Sequence, residues 1–406
     1  MNAQVAYSEE FENLRILMIA PQPWFQPRGT PFSVLHRIKA LSLLGHKIDL
    51  VTYHIGQDVG IEGLCIHRAK KLPFIKNVKI GPSFSKIFLD LALYFKAEEM
   101  LKKSTFDYLH THEEAAFFGI PLAKKYGIPH LYDMHSSLPQ QLENFKFSKS
   151  KMLIGTFESM ERRAIEKSAG VITICPKLQE YIEKKFPSQT SILIENVADN
   201  SIVFPPTNAM SEGLRKELDL NGEKIVLYYG TFEAYQGIDM FIKSAVRVSE
   251  KRPEDVHFLM VGGNEQQVSM YRSQAQKLGV GSKFTFTGFV QPDKIPAFIS
   301  LCDVLVSPRL EGTNSPLKIY SYLRSGKPIV ATRHITHTQI LSDSVSVLAD
   351  PNPDAFAEGI LSILNDERQQ MRLVKAARQL AEKHYSYDDY LQKTTWIVER
   401  VMRTKV

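Results

Sequence analysis

Cysteine is scarce in this chain, with three among 406 residues. The three lie far apart and form no CxxC pair: Cys65, Cys175 and Cys302. This spacing argues against a disulfide framework and against a cysteine-based zinc site, and it is typical of proteins in a reducing cytoplasm.

Long hydrophobic runs are also missing. No apolar stretch approaches the ~20 residues that a membrane-spanning helix requires. The first fifteen residues, MNAQVAYSEEFENLR, are polar and acidic, unlike a secretory signal peptide. We find no internal repeat of the kind that builds solenoids or propellers. We therefore expect a cytoplasmic protein without a transmembrane helix.

What the chain does contain is typical of a globular protein. Hydrophobic residues make up 44% and charged residues 23%, with a formal net charge of +6. The length favours two or three domains of ordinary size. The mild positive charge suits anionic ligands or surfaces but does not require nucleic acid, and we expect no nucleic-acid partner.

Apolar strands and amphipathic helices alternate in two stretches of the chain. The first opens with a strand at 15–20, a loop with Pro and Gly, a helix, and a strand at 48–54; the pattern restarts at 224–230. Such βαβ alternation predicts parallel, doubly wound α/β sheets. We predict these segments: a first Rossmann-like domain at 14–199, a linker at 200–221, a second Rossmann-like domain at 222–380, and a C-terminal helix at 381–406.

The segment from Val304 to Thr332 carries the densest chemistry. It reads as a buried strand, a polar loop, a helix that starts near Pro316 and ends at Gly326, and a second strand. Ligands of open α/β sheets bind at the carboxyl ends of the strands, where this loop lies. The free N–H groups of the helix N-terminus, with Arg309 and Lys318, therefore predict an anion site.

This segment, SPRLEGTNSPLKIYSYLRSGKPIVAT, resembles the donor-nucleotide segment of retaining glycosyltransferases with the GT-B fold, the family 4 or group 1 type. The resemblance covers nearly the whole chain and is strongest over 284–332. It implies an α/β fold of two doubly wound Rossmann-like domains that face a central cleft, with the last helix crossing back to the first domain. It also implies sugar transfer from a nucleotide-sugar, with the acceptor on the N-terminal domain.

The resemblance assigns roles to residues of the segment. Glu311 matches the glutamate that touches the donor sugar. The loop and helix N-terminus that hold the diphosphate are matched by Asn314, Ser315, Pro316, Leu317 and Lys318. The usual ribose-binding glutamate is missing, because the residue eight after Glu311 is Ile319. If the segment is aligned on Gly326 at the helix end, the ribose-binding position falls on Ser321 instead.

Other loops match the family's donor site. These residues are Gly29 and Thr30; Gly230, Thr231 and Gln236; Gly263; and Val290. Thr231 and Gln236 stand where the family usually has the arginine and lysine that contact the diphosphate. Arg309 and Lys318 are the available replacements, since a diphosphate needs matched charged donors.

Histidines end two strands of the first domain. His135 matches the family's histidine beside the donor sugar, and Asp133 could orient it or cap a turn. His110 and His112 end a shorter strand. We expect their imidazoles to point to opposite faces of that strand, so that the pair alone does not bind a metal. No Asp-x-Asp pair occurs, and we expect metal-independent catalysis.

Residues 63–89 mix six basic residues with many apolar ones and contain no acidic residue. Such a mixture is typical of segments that lie on an anionic membrane surface. In similar enzymes this part of the first domain faces the membrane or the acceptor. The alternative is a solvated loop followed by an amphipathic helix packed on the sheet.

The residues and the resemblance predict a glycosyltransferase that moves a sugar from a UDP- or GDP-sugar to an acceptor hydroxyl with retention and without a cofactor. The expected acceptor is a glycan or is linked to a lipid. We expect the enzyme to act in envelope or surface glycan synthesis at the inner face of the membrane. Glu311 and His135 would be its catalytic residues. Two alternatives stay open. One is another enzyme on the same fold, a sugar-nucleotide epimerase or a phosphorylase. The other is a non-catalytic nucleotide- or glycan-binding subunit of a polysaccharide assembly complex.

Overall fold

The chain forms two compact units in a computed structural model that describes residues 11–26, 29–75, 78, 83–139, 151–195, 208–220, 222–252 and 255–404. Unit 1 comprises Met1–Asn196 and Asp388–Val406, and unit 2 comprises Val197–Tyr387. The chain therefore leaves unit 1, builds all of unit 2, and returns to unit 1 for its last residues.

Seven parallel strands form the sheet of unit 1, in the order β3-β2-β1-β4-β5-β6-β7. The strands are β1 (Arg15–Ala20), β2 (Lys47–Thr52), β3 (Leu64–Arg68), β4 (Tyr108–His112), β5 (His130–Met134), β6 (Gly170–Thr173) and β7 (Ser191–Leu193). The helices between them are α1 (Gly29–Leu43), α2 (Phe84–Lys103), α3 (Ala116–Tyr126), α4 (Lys151–Lys167) and α5 (Pro176–Lys185). The central strands are buried on both faces, which explains the apolar run of β1, whereas β4 and β5 also bury histidines and Asp133.

Six parallel strands form the sheet of unit 2, in the order β10-β9-β8-β11-β12-β13. The strands are β8 (Lys224–Tyr229), β9 (Val256–Val261), β10 (Phe284–Gly288), β11 (Val304–Ser307), β12 (Ile329–Thr332) and β13 (Val347–Ala349). The helices are α6 (Asn208–Glu217), α7 (Ile238–Lys251), α8 (Glu265–Lys277), α9 (Ile295–Leu301), α10 (Lys318–Ser325), α11 (Ile335–Thr338), α12 (Pro353–Asn365) and α13 (Glu367–His384). The last helix of the chain is α14 (Tyr387–Met402).

The predicted fold class is confirmed, because both sheets are parallel and doubly wound. In unit 1 the chain runs outward from β1 to β3 and then returns to place β4 on the other side of β1. In unit 2 it does the same with β8 and β11. Each unit thus has one topological switch point, the position where such sheets bind ligands.

Two local details differ from the sequence-based expectations, and a third places the predicted donor residue Val290 outside a strand. Helix α6 lies inside the segment 200–221 that we assigned to a linker, and it packs against α9; residues 200–207 lie outside the described part of the chain. Helix α10 starts at Lys318 rather than at Pro316, although Gly326 ends it as expected, at a φ of 75°. Strand β10 ends at Gly288, two residues before Val290.

No helix in the described part of the chain is both long enough and apolar enough to cross a lipid bilayer. None of the three cysteines forms a disulfide, and Cys175 and Cys302 are buried whereas Cys65 is exposed. Cys175 lies in an apolar cluster with residues such as Tyr132 and Val171, which fits a packing role.

Candidate functional site

The loop between β11 and α10 lies at the switch point of the unit 2 sheet. Strand β8 is the neighbour of β11, and the segment after β8 packs directly on this loop. The backbone N–H of Leu310 donates to the Tyr235 carbonyl at 3.0 Å. A Cβ on Gly237 would lie 2.0 Å from the Pro308 carbonyl oxygen, so the backbone at 237 can come this close to Pro308 only as glycine.

Lys318 reaches from the first turn of α10 to the end of β8. Its Nζ donates to the Tyr229 carbonyl at 3.1 Å and lies 3.9 Å from the centroid of the Tyr228 ring. Burial and the nearby Arg309 guanidinium hold the pKa of Lys318 well below its usual range. A desolvated amine of this kind gains strongly from an anionic ligand.

Arg309 is the second cation of the loop. Its Nε donates to the Glu311 carbonyl oxygen at 2.8 Å, and its guanidinium carbon lies 5.1 Å from the centroid of the Tyr235 ring. A Cβ on Gly312 would meet the guanidinium at 2.4 Å. The half-buried guanidinium is therefore held in place by backbone and ring, without a carboxylate partner among the described residues, and burial lowers its pKa.

Two glycine positions bring backbone close to this site. Gly230 ends β8 at a φ of 140°, and a Cβ there would lie 3.4 Å from Lys318 Nζ. A Cβ on Gly262 would lie 2.0 Å from the Gly230 carbonyl oxygen. Gly263 packs against the Phe232 ring, where a Cβ would come within 2.5 Å. The ends of β8 and β9 are thus in backbone contact beside the loop.

Two buried polar atoms at the predicted donor positions have no hydrogen-bond partner among the described residues. They are Gln236 Oε1 and Ser315 Oγ, on side chains that are 8% and 9% exposed. The Gln236 amide instead approaches Thr231 Oγ1 at 3.5 Å, through Nε2. Buried polar atoms are usually satisfied, and both of these lie at positions that the resemblance assigns to the donor.

The acidic residues near the loop differ in their surroundings. Glu311 is exposed. Glu233 accepts a hydrogen bond from Gln267 Nε2 at 3.1 Å, which fixes its carboxylate on α8. Two uncharged residues of the predicted donor site, Asn314 and Val290, are half-buried.

The two alignments place the ribose contact at residues with different surroundings. Ile319 is fully buried in the core and offers no polar group. Ser321 is half-buried and hydrogen-bonds to the Tyr229 hydroxyl. Pro316 and Leu317 form a turn before α10, in which their carbonyls accept from Ile319 and Tyr320.

His337, on α11, holds the ends of two strands together and was missed by the sequence analysis. Its Nε2 lies 2.8 Å from Ser307 Oγ, and its Nδ1 lies 3.0 Å from Thr332 Oγ1. Thr332 in turn donates to the Arg309 carbonyl. Burial lowers the pKa of His337 to about 3, so the imidazole is neutral. An isolated histidine outside any motif gave no signal for this role.

His135 follows β5 in unit 1 and belongs to a buried hydrogen-bonded group. Its Nε2 lies 2.9 Å from His112 Nδ1 and 3.4 Å from Asp133 Oδ1. Asp133 Oδ2 accepts from Arg37 Nε at 3.0 Å. Although burial opposes ionisation, Arg37 and the imidazoles hold the pKa of Asp133 well below its usual range. Asp133 is thus paired with Arg37 and lies within 3.4–3.7 Å of the imidazole nitrogens of His110, His112 and His135.

The expectation for His110 and His112 was wrong. Residues two apart on a strand share a face, because side chains alternate with a period of two. The two rings stack with centroids 4.8 Å apart and an interplanar angle of 16°. Burial lowers the pKa values of both imidazoles.

Within the described ranges, two groups of side chains have the spacing of metal ligands. One is His110, His112 and Asp133; the other is Asp49, Cys65 and His67. In each group the carboxylate is already paired with an arginine: Asp133 with Arg37 and Asp49 with Arg15. A cation beside these guanidinium groups would be electrostatically disfavoured, and we assign neither group to a metal.

The first loop of unit 1 leads into α1. Gly29 is exposed, with open space around its Cα, and residues 27–28 lie outside the described part of the chain. Thr30 is half-buried, and its Oγ1 donates to Glu113 Oε1 at 3.2 Å. Glu113 directly follows β4, so this bond connects the segments after β1 and β4.

One face of α2 presents an exposed apolar stripe. Its members, which we call the α2 stripe, are Phe84, Ile87, Phe88, Leu91 and Phe95, each 53–73% exposed. Phe74 extends this stripe, since its ring packs edge-on against the Phe88 ring with the two centroids 6.2 Å apart. Within the predicted segment 63–89, Lys70 and Lys71 are exposed, whereas residues 76, 77 and 79–82 lie outside the described part of the chain.

Two family models match the chain in succession. Residues 27–200 match the model described as Glycosyltransferase Family 4, and residues 210–380 match the model described as Glycosyl transferases group 1. Together they span nearly all of units 1 and 2.

Individual relatives are distant in sequence and close in fold. Spore coat protein SA of Bacillus subtilis is 24% identical over 314 residues, 74% of this chain and 80% of that protein. Sucrose-phosphate synthase from Thermosynechococcus elongatus has a TM-score of 0.77 at 18% identity, over 96% of this chain and 99% of that one. HepE from Anabaena, solved with UDP, has a TM-score of 0.73 at 16% identity, over 95% of this chain and 100% of that one.

Proposed function

Because the chain belongs to the GT-B glycosyltransferases of the group 1 and family 4 type, we propose that it transfers a sugar from a nucleoside diphosphate sugar to an acceptor hydroxyl with retention at the anomeric carbon. The observation that carries this proposal is the pair of cations, Arg309 and Lys318, at the switch point of unit 2. Glycosyltransferase activity follows from the family, whereas donor, stereochemistry and acceptor are our inference.

The donor diphosphate would lie on the loop that joins β11 to α10. Two cations there lack a carboxylate partner among the described residues, and two buried polar atoms lack a hydrogen-bond partner. A diphosphate would pair with the two cations and accept a hydrogen bond from the Ser315 hydroxyl, whereas Gln236 Oε1 is an acceptor that a hydroxyl of the ribose or the sugar would satisfy. HepE, which shares the fold, is solved with UDP, which supports a UDP- or GDP-sugar as donor.

The chemistry needs stabilisation of the leaving group. As the bond between the sugar's C1 and the diphosphate breaks, negative charge grows on the diphosphate, and fixed positive groups lower the energy of that state. Arg309, Lys318 and the N–H groups before α10 can supply this stabilisation, so we propose catalysis without a metal and without a cofactor. We assign Glu311 and His135 to the transferred sugar, as the resemblance implies.

One observation favours a second candidate, a non-catalytic nucleotide- or glycan-binding subunit. Ile319 is in the core, and Thr231 and Gln236 are uncharged, so three charged contacts of typical family members are replaced. A protein that binds a nucleotide-sugar without cleaving it could tolerate these replacements. Turnover separates the two candidates.

A thermal-shift panel tests the proposal. The purified chain would be heated with UDP-, GDP- and ADP-sugars in EDTA, alongside Arg309→Ala and a control, Lys327→Met, whose Nζ donates to the Ser300 carbonyl away from the loop. We expect one nucleotide class to stabilise the wild type and the control but not Arg309→Ala. Release of free nucleoside diphosphate would then establish transfer or hydrolysis. Stabilisation without any release would favour the binding subunit, and no stabilisation would contradict the donor site.

We also propose that unit 1 contacts an anionic membrane through the α2 stripe, which gives access to a lipid-linked or envelope-glycan acceptor at its cytoplasmic face. Five exposed apolar side chains on one helix face are costly in water and suit an acyl-chain boundary. The exposed Lys70 and Lys71 lie in the preceding segment and favour anionic headgroups. Lys86 is not available for this purpose, because it pairs with Glu114 at 2.9 Å.

A further inference from the structure

Glu161 is a buried carboxylate of unit 1 to which the proposed function gives no part. It lies on α4, which packs against β5, and it is 2% exposed. Its Oε1 accepts from the Ser137 hydroxyl at 3.1 Å and from the Tyr181 hydroxyl at 3.2 Å. Its Oε2 accepts from the backbone N–H of Leu138 at 2.9 Å. One carboxylate thus collects three hydrogen bonds in the interior of unit 1.

Two of these three donors belong to the segment that directly follows the proposed catalytic histidine. His135 is the first residue after β5, and Ser137 and Leu138 lie two and three residues further on. The imidazole at the start of this segment is held by His112, whose Nδ1 lies 2.9 Å from His135 Nε2. The segment 135–138 is therefore fixed by β4 at one end and by Glu161 at the other.

Packing alone does not explain a carboxylate at this position. Burial raises the pKa of Glu161, and the hydrogen bonds from Ser137, Leu138 and Tyr181 act against that shift. The three donors thus favour the charged form, and the charged form in turn holds them. An apolar side chain of similar volume would fill the same space without the desolvation cost, but it would leave the three donors without an acceptor.

We propose that Glu161 is a positioning residue for sugar transfer, which fixes the path of the chain after β5 through Ser137 and Leu138 and thereby the orientation of His135. This inference rests on the proposed function, which assigns His135 to the transferred sugar. Glu161 takes no part in making or breaking bonds. A functional side chain on a loop is placed only as accurately as the residues that support it, and Glu161 is such a support.

A matched pair of variants tests this role. Ser137→Ala and Tyr181→Phe each remove one hydroxyl donor from the same oxygen, Glu161 Oε1, at nearly equal distances. A merely structural role of Glu161 predicts similar turnover in the two variants. Positioning predicts that Ser137→Ala lowers kcat and that Tyr181→Phe keeps it, because Tyr181 lies on α5, outside the His135 segment. The assay would follow release of nucleoside diphosphate from UDP-glucose and GDP-mannose, with octyl glucoside as a soluble hydroxyl acceptor.

Glu161→Gln is the direct variant, since an amide nitrogen cannot accept a hydrogen bond and one donor of the group loses its partner. We expect kcat to fall roughly 10- to 100-fold, the scale of a small misplacement of a catalytic group. Affinity for UDP and GDP, measured by calorimetry, should not change, because the proposed diphosphate site lies in unit 2. Glu166→Gln, at an exposed position of the same helix, is the control and should behave as the wild type.

A double variant shows whether Ser137 acts through Glu161. Ser137→Ala combined with Glu161→Gln should be no slower than Glu161→Gln alone, because both changes remove the same interaction. Additive losses would show that Ser137 has a separate role and would overturn the inference. If Glu161→Gln does not fold, the comparison of Ser137→Ala with Tyr181→Phe still decides, and equal kcat in those two variants rejects positioning.

Amide hydrogen exchange separates this inference from the proposed function. Exchange at 135–138 should be faster in Glu161→Gln and Ser137→Ala than in the wild type, and unchanged in Tyr181→Phe. Wild-type kcat in Glu161→Gln would overturn the inference while leaving the proposed function intact. If the wild type releases no nucleoside diphosphate from either donor, the proposed function is wrong, and the inference falls with it even where the exchange rates change as expected.

Discussion

Arg37 Nε lies 3.0 Å from Asp133 Oδ2, and each side chain is only 2% exposed. The same guanidinium donates to Thr394 Oγ1 at 3.0 Å and lies 4.9 Å from the centroid of the Tyr390 ring. Asp133 in turn approaches His135. One buried arginine therefore connects the last helix of the chain to the strand end that carries the proposed catalytic histidine.

Arg37→Met should destabilise unit 1 by about 3–5 kcal/mol, because it leaves the Asp133 carboxylate buried without its partner. The matched control is Arg15→Met, which breaks a pair with Asp49 whose arginine is 42% exposed. That control should cost about 1 kcal/mol or less. Calorimetric unfolding of both variants measures the difference, and equal costs would contradict the importance of burial.

Stability should fall as pH falls from about 6.5 towards 3, partly because of His337. Burial lowers its folded-state pKa to about 3, while an unfolded imidazole titrates near 6.5. Between these values the unfolded chain binds a proton that the folded chain does not, so acid favours unfolding.

The size of this effect can be isolated with His337→Asn. Between pH 7 and pH 5 the histidine should account for about 2 kcal/mol of the wild type's loss of unfolding free energy. His337→Asn should be less stable than the wild type at pH 7, but its unfolding free energy should fall by about 2 kcal/mol less between pH 7 and pH 5. Parallel pH dependences in urea unfolding would show that His337 is not neutral and buried as described.

Binding of a nucleoside diphosphate should be accompanied by proton uptake. The pKa of Lys318 is held well below its usual range by burial and by Arg309, and a bound diphosphate would raise it again. Calorimetry with UDP and GDP at neutral and alkaline pH, in buffers of different ionisation enthalpy, should show net proton uptake on binding. Lys318→Met should bind more weakly and take up fewer protons. A binding enthalpy independent of buffer would argue that Lys318 is already charged.

Glu311→Ala should reduce turnover at least ~10²-fold, the typical loss when one preorganised polar contact to a transition state is removed. Nucleotide affinity should remain, since the residue is assigned to the sugar rather than to the diphosphate. Exposed Glu358, on α12, offers a control as Glu358→Ala, which breaks only a surface pair with Lys251. Full activity in Glu311→Ala would remove Glu311 from the proposed catalytic residues.

The α2 stripe should bind vesicles that contain phosphatidylglycerol more strongly than vesicles of phosphatidylcholine alone. A triple variant, Phe84→Ser, Phe88→Ser and Leu91→Ser, should lose this binding, whereas Leu43→Ser on α1, also exposed at 68%, should keep it. Flotation assays measure both. If the wild type self-associates in solution and the triple variant does not, with no vesicle binding by either, the stripe is a protein interface and the membrane proposal is wrong.

Much of the fold could be predicted because its determinants are local. Apolar runs such as Val304–Val306 and turn residues such as Gly326 specify strands and helix ends from neighbouring residues. The strand–loop–helix pattern then placed Arg309 and Lys318 on either side of one loop, and the structure gives both a position near the end of β8.

The interactions that escaped prediction join residues distant in sequence. Arg37 and Asp133 are 96 residues apart, and neither belongs to a motif. His337 acts only through Ser307 and Thr332, which the topology brings together. The error over His110 and His112 was different, since the strand period alone gives the correct geometry.

The return of the chain to unit 1 has a consequence for synthesis on the ribosome. Tyr390 and Thr394, which contact Arg37, are translated only after the whole of unit 2 has been made. Domains tend to fold as units during translation, so unit 2 can be complete while the first segment of unit 1 still carries an unshielded arginine and aspartate. The nascent protein would thus complete the surroundings of its proposed catalytic histidine last, and truncation shortly before residue 388 would produce a chain with a finished unit 2 and an unfinished unit 1.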